Sequence, residues 1–124
     1  MSSLVNVSEL EWMGFEVAAA RLLGAGMAAS AVLRCIVERA PGPVQYFALH
    51  EAAAASVALS RCRSEGHACK VHVCRLRSAA EDLGLELPIR NVRGLGYMLA
   101  AADAAGVYDL VVDSVVRPAR SRAA

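Results

Sequence analysis

Aromatic residues are scarce: one tryptophan, three tyrosines and two phenylalanines make up 5% of the 124-residue chain. A core with so few rings must be largely aliphatic. Much of the 56% hydrophobic share is alanine, which favours helix more than it fills space. No apolar run approaches the roughly 20 consecutive residues that cross a bilayer, so no membrane span is expected. The opening MSSLVNVSELEW has no basic stretch followed by an apolar one, so no secretory leader is read and a cytoplasmic location is expected. Cysteine is limited to positions 35, 62, 69 and 74, with no C-x-x-C pair, and reduced thiols without a cofactor are the expectation. No glycine loop of the phosphate-cradling kind opens a helix, and no paired carboxylates or Ser/His/Asp grouping stand out. An enzyme is therefore not expected.

Net charge is nearly absent too, at +1, but its distribution is uneven. Residues 61–97 carry seven basic and four acidic side chains, an excess of +3, whereas residues 1–60 carry three basic and five acidic ones. Local charge, more than the total, governs attraction to a polyanion.

What is present reads mainly as helix. Ser8 and Glu11 have the S-x-x-E spacing of a capping box, which predicts a helix from about Glu9 to Leu23 stopped by GAG at 24–26. A second helix fits MAASAVLRCIVERA, with Ala31, Leu33, Ile36 and Val37 as its apolar positions and PGP at 41–43 as its end. A third starts near Gln45 and runs through YFALHEAAAASVAL at 46–59, and RCRSEG at 61–66 reads as a loop. A fourth covers about 67–83, with Val71, Cys74 and Ala79 on one side and Lys70, Arg75 and Arg77 mostly off it. LELPIRNV and GYMLA then flank RGLG, a β-hairpin signal in which glycine supplies a positive φ. VYDLVVDSVV fits a strand or a helix, and RPARSRAA reads as a disordered basic tail.

Helices, a basic helix and a glycine-turned hairpin, in that order, form the layout of a winged helix-turn-helix. VHVCRLR followed by IRNVRGLGY resembles the effector domain of the OmpR/PhoB class of bacterial response regulators. That family's recognition helix reads roughly V-H-I-x-R-L-R and its wing I-x-T-V-R-G-x-G-Y. APGPV at 40–44 also resembles its helix-ending P-G-x-V, and the likeness covers about residues 27–100. Three departures stand out. A helix replaces the family's opening sheet, Asn91 replaces the wing threonine, and the lysine after R-L-R is missing. No receiver domain is read, so the resemblance implies a stand-alone relative. It divides the chain into an N-terminal helical extension (1–26), a winged helix-turn-helix domain (27–101), a C-terminal extension (102–116) and a basic tail (117–124).

The resemblance also implies roles. Residues 67–80 would enter the major groove of double-stranded DNA, with His67, Lys70, His72, Arg75 and Arg77 contacting phosphates or bases. Arg90 and Arg93 would flank the wing, with Arg93 in the minor groove, Gly94 allowing close approach, and Asn91 and Tyr97 on the backbone. Guanidinium groups bind phosphate and guanine edges bidentately, and a narrow minor groove attracts arginine. A homodimer on DNA is expected, because one winged domain buries limited surface. The resemblance further implies RNA polymerase as a partner through the loop at 57–66.

Plainer alternatives stand beside these roles. Arg90 and Arg93 fit a solvated hairpin edge, and Arg77 fits an i,i+4 pair with Glu81. His72 fits a partly buried helix residue, Tyr97 a ring packed on the helices, and Trp12, Met13 and Phe15 a core. Cys62, His67, Cys69, His72 and Cys74 fall within thirteen positions and offer thiolate and imidazole ligands to zinc, but an unbroken helix would scatter them around its circumference. A second function on the same fold is a protein-interaction module that binds RNA polymerase or another regulator without DNA.

Overall fold

Ser8 starts the first helix as its spacing predicts. Its Oγ accepts from the Glu11 backbone N–H at 3.2 Å, and its own N–H donates to Glu11 Oε1 at 2.9 Å. Helix α1 runs Glu9–Leu23 and closes on Gly24, whose N–H bonds the Ala20 carbonyl at 2.9 Å. The computed structural model describes residues 6–56 and 65–116 and, within them, all side chains except those of residues 56, 65–69 and 116.

Four further helices follow among the described residues: α2 (Met27–Arg39), α3 (Tyr46–Ser56), α4 (Glu65–Asp82) and α5 (Ala101–Val116). Helix α2 is the centre of the packing. Ala31, Val32, Leu33, Ile36 and Val37 are all buried on it, and it touches every other helix. The four apolar positions expected on this helix are thus all in the core. No helix is long and apolar enough to cross a membrane among the described residues.

The hairpin belongs to a three-stranded antiparallel sheet, with strand order β1-β3-β2. Strands β2 (Arg90–Val92) and β3 (Gly96–Met98) form the expected hairpin, with Asn91 opposite Tyr97 and Val92 opposite Gly96. The Leu95 N–H bonds the Val92 carbonyl at 2.9 Å, and Gly94 between them has φ +73°, the left-handed value that a type II turn places at its third residue. Strand β1 (Val44–Gln45) was not expected: it pairs with β3, Val44 opposite Tyr97 and Gln45 opposite Gly96. β1 lies so close that a Cβ on Gly96 would stand 1.7 Å from the Val44 carbonyl oxygen.

VYDLVVDSVV is helical, lying within α5. Its buried positions, Ala104, Val107 and Val111, fall at i, i+3 and i+7, which is the one-sided burial of a helix. Trp12 and Phe15 of α1 meet Tyr108 of α5, with ring centroids 5.2 and 5.4 Å away. The described parts of the stretches read as extensions, from residue 6 to 26 and from 102 onward, therefore contribute to the same hydrophobic core as residues 27–101. Met13, expected in that core, is 52% exposed. It falls one residue beyond Trp12 on α1, a rotation that carries it out of the buried face. The tail at 117–124 and the end of the expected third helix at 57–59 lie outside the described residues.

Candidate nucleic-acid interface

The buried side of α4 differs from the expected one. Val73, Leu76 and Ala80 enter the core, whereas Val71 is 43% exposed and Cys74 is exposed. The reason is packing: α4 presses on α2 and α3, and Val73 and Leu76 carry the larger side chains on the contacting arc. This orientation leaves Lys70, Arg75, Arg77 and Ser78 exposed.

His72 sits at the margin of the buried side. Its Nδ1 is buried without a hydrogen-bond partner, and burial, with a further contribution from the Arg75 charge, lowers the imidazole pKa below the usual histidine range. The neutral ring is favoured there, and His72 is the least exposed of the four described α4 candidates. The side chain of His67 lies outside the described residues.

On the hairpin, Arg90, Asn91, Arg93 and Gly94 are exposed. Tyr97 is 4% exposed, its ring packed edge-on against Tyr46 at 5.8 Å. Its position fits the packing alternative, with the ring buried in the core. Asn91 Oδ1 accepts from the Tyr46 hydroxyl at 3.4 Å, and the Tyr46 N–H donates to the Leu95 carbonyl at 3.1 Å. Tyr46 thus ties the start of α3 to the hairpin turn. Sequence reasoning missed Tyr46; the only signal was its place directly after the PGPVQ stretch, where the chain enters a helix.

Arg77 reaches the hairpin from α4. One guanidinium nitrogen donates to the Ile89 carbonyl at 2.5 Å, and the guanidinium carbon lies 5.9 Å from the Tyr97 ring centroid. The Arg77–Glu81 pair, the plainer alternative for this residue, is not among the ion pairs of the described residues, all three of which belong to Arg34.

No family model, curated protein or solved structure matches the chain. The arrangement of side chains is therefore what any functional reading stands on.

Two other features complete the surroundings. A cleft of about 450 Å³ runs between the turn at Leu23–Ala25 and the outer side of α4, lined there by Cys74, Arg75, Ser78 and Asp82. Away from the basic surface, Arg34 bonds Glu9, Glu16 and Glu38, at 2.5, 2.8 and 3.2 Å, and lies over the Trp12 ring. Of the zinc candidates, His72 and Cys74 belong to no metal-ligating cluster among the described residues, while Cys62 and the side chains of His67 and Cys69 lie outside them.

Proposed function

We propose that the chain is a sequence-specific DNA-binding transcriptional regulator of the winged-helix type. In this reading α4 is the recognition helix, with residues 67–80 in the major groove, and residues 89–98 are the wing on the adjacent minor groove and backbone. One observation carries the reading: Lys70 and Arg75 on α4, and Arg90 and Arg93 on the hairpin, are exposed on two elements joined directly through Arg77. Four cations on adjoining elements suit a duplex, where phosphate contacts fix position and base edges give specificity. Arg75 and Lys70 are the groove contacts in this account, Arg93 the wing-tip contact, and Gly94 the residue that lets the backbone approach. A homodimer on DNA and contact with RNA polymerase through residues 57–66 belong to the same proposal; 57–64 lie outside the described residues.

A second reading, an interaction module for RNA polymerase or another regulator, has one observation in its favour. Leu10, Met13 and Val17 form an apolar stripe on the solvent side of α1, with Leu10 76% exposed. Salt separates the two readings, because phosphate contacts make affinity fall steeply as salt rises and an apolar interface does not.

Fluorescence anisotropy on a pool of fragmented bacterial genomic DNA tests the proposal, with the wild type beside an Arg75→Ala/Arg93→Ala variant. Salt-sensitive binding that collapses in the variant is expected. Binding indifferent to both arginines, or none at low salt, rejects DNA reading.

A further inference from the structure

Among the described residues, Arg77 is the one cation on the exposed side of α4 that spends its hydrogen-bonding on the protein itself. Its guanidinium donates to the carbonyl of Ile89, the residue just before the first ladder pair of β2, Arg90 opposite Met98. The same group stands over the Tyr97 ring, and Tyr97 is in the middle strand, paired with Val44 on one side and Asn91 on the other. One side chain therefore bridges α4 to the entry of β2 and to β3. Tyr46 at the start of α3 meets the same Tyr97 ring and bonds Asn91 and Leu95, so the hairpin is also tied to α3.

A charge-assisted hydrogen bond to a carbonyl and a cation over an aromatic face are both directional, and the planar guanidinium satisfies both at once. β1 and Tyr46 anchor the hairpin to α3 whether or not Arg77 is present. What Arg77 adds is the link to α4; without it the spacing between Arg75 and Arg93 would rest on residues 83–89 and core packing alone and would vary more. From these contacts we infer that Arg77 is a positioning residue, setting the wing against the recognition helix so that Arg93 meets the duplex in register with Arg75. This inference rests on the DNA-binding reading and assigns Arg77 a different task from its basic neighbours: it acts through Arg93 and not on phosphate.

A double-mutant cycle measures this. The variants are Arg77→Met, which keeps an apolar stem but removes donor and charge, Arg93→Ala, Arg75→Ala and the pairs. All are assayed by anisotropy on duplex DNA across a salt series, well below each variant's melting temperature. Losing one wing contact weakens binding roughly tenfold. Arg77→Met is expected to lose about as much as Arg93→Ala, and the pair no more than Arg93→Ala alone, with the same salt slope. Arg77→Met and Arg75→Ala are expected to multiply. Independent losses at 77 and 93, with the salt slope shallower by about one more in the pair, would make Arg77 a phosphate contact and overturn the inference. A loss of melting temperature with wild-type affinity would also overturn it, leaving Arg77 a purely structural residue.

An amide spectrum of Arg77→Met without DNA separates this inference from the reading beneath it. Residues 89–98 are expected to shift and to exchange faster than those of α1. Unchanged hairpin amides would sink the bridge whether or not DNA binds. A wild type that ignores DNA would sink the DNA reading, and the positioning role with it, even if those amides shift.

Discussion

Replacing Gly96 with alanine tests the sheet that carries the hairpin. The added methyl would stand 1.7 Å from the Val44 carbonyl oxygen, 2.7 Å from its carbon and 3.0 Å from the Gln45 Cα. All three atoms are backbone, so no rotamer change relieves the clash, and β1 must move off β3. Separation removes the pairing of Val44 with Tyr97 and of Gln45 with Gly96, and uncovers Val44, which is buried. Overpacking alone costs about 1–3 kcal/mol, and each lost hydrogen bond about 1 more, so a loss of roughly 3 kcal/mol is expected. For a domain of this size that lowers Tm by roughly 10–15 °C. Gly94→Ala is the internal control: nothing lies within 4 Å of its Cβ, and only the φ of +73° resists the change. Its expected cost is about 1 kcal/mol. Thermal melts of the two variants followed by circular dichroism give the comparison. Gly96→Ala melting as high as Gly94→Ala would refute the close approach of β1 and β3.

Other perturbations reach other parts of the account. Ser8→Ala removes the side-chain half of the cap on α1 and is expected to cost about 1 kcal/mol in chemical denaturation. Phe15→Ala empties the contact between α1 and α5 and is expected to cost about 3–5 kcal/mol in chemical denaturation, and Tyr108→Ala is expected to be costly too, against almost nothing if α5 were a detached appendage. His72 has its pKa lowered by burial, so the unfolded chain binds its proton more readily. Its contribution is full above the unfolded value, near 6.5, and is lost as pH falls through the folded one. Denaturation midpoints measured between pH 7.5 and 5 are expected to fall less in His72→Gln than in the wild type. The Glu9 carboxyl is held below its usual range by its hydrogen bond to Arg34, so that bond stabilises the fold at neutral pH and is lost as acid protonates the group. Arg34→Met is expected to flatten the acid limb of the stability profile, and an unchanged limb would remove the network from the explanation.

What could be read from sequence followed from how local the cause is. The cap of α1 needs only Ser8 and Glu11, three residues apart, and the turn of the hairpin needs only a glycine able to take a positive φ. Both were legible. β1 was not, because two residues fused to the start of α3 carry no pattern of their own; their partner, Gly96, is some fifty positions later. The contacting arc of α4 differs from the one expected because Val71 and Cys74 are apolar at helical spacing, yet Val73, Leu76 and Ala80 share that spacing too, and it is their arc that turns onto α2 and α3. α5 read equally well as a strand, since its β-branched residues satisfy either pattern until Trp12 and Phe15 supply a partner for Tyr108. Among the site residues, exposure at Lys70, Arg75, Arg90, Asn91 and Arg93 agrees with what charge and turn chemistry suggested. Arg77 was the hardest to read: its partner is a backbone carbonyl, which no side-chain pattern reveals.

An amide-resolved titration of the labelled protein with a short duplex at low salt tests the central claim most directly. The account predicts shifts in α4 from Lys70 to Ser78 and in the hairpin from Arg90 to Gly94, reversed by added salt, with the solvent stripe of α1 at Leu10, Met13 and Val17 unmoved. Shifts confined to that stripe or to α5, or no shifts at any duplex concentration, would contradict it.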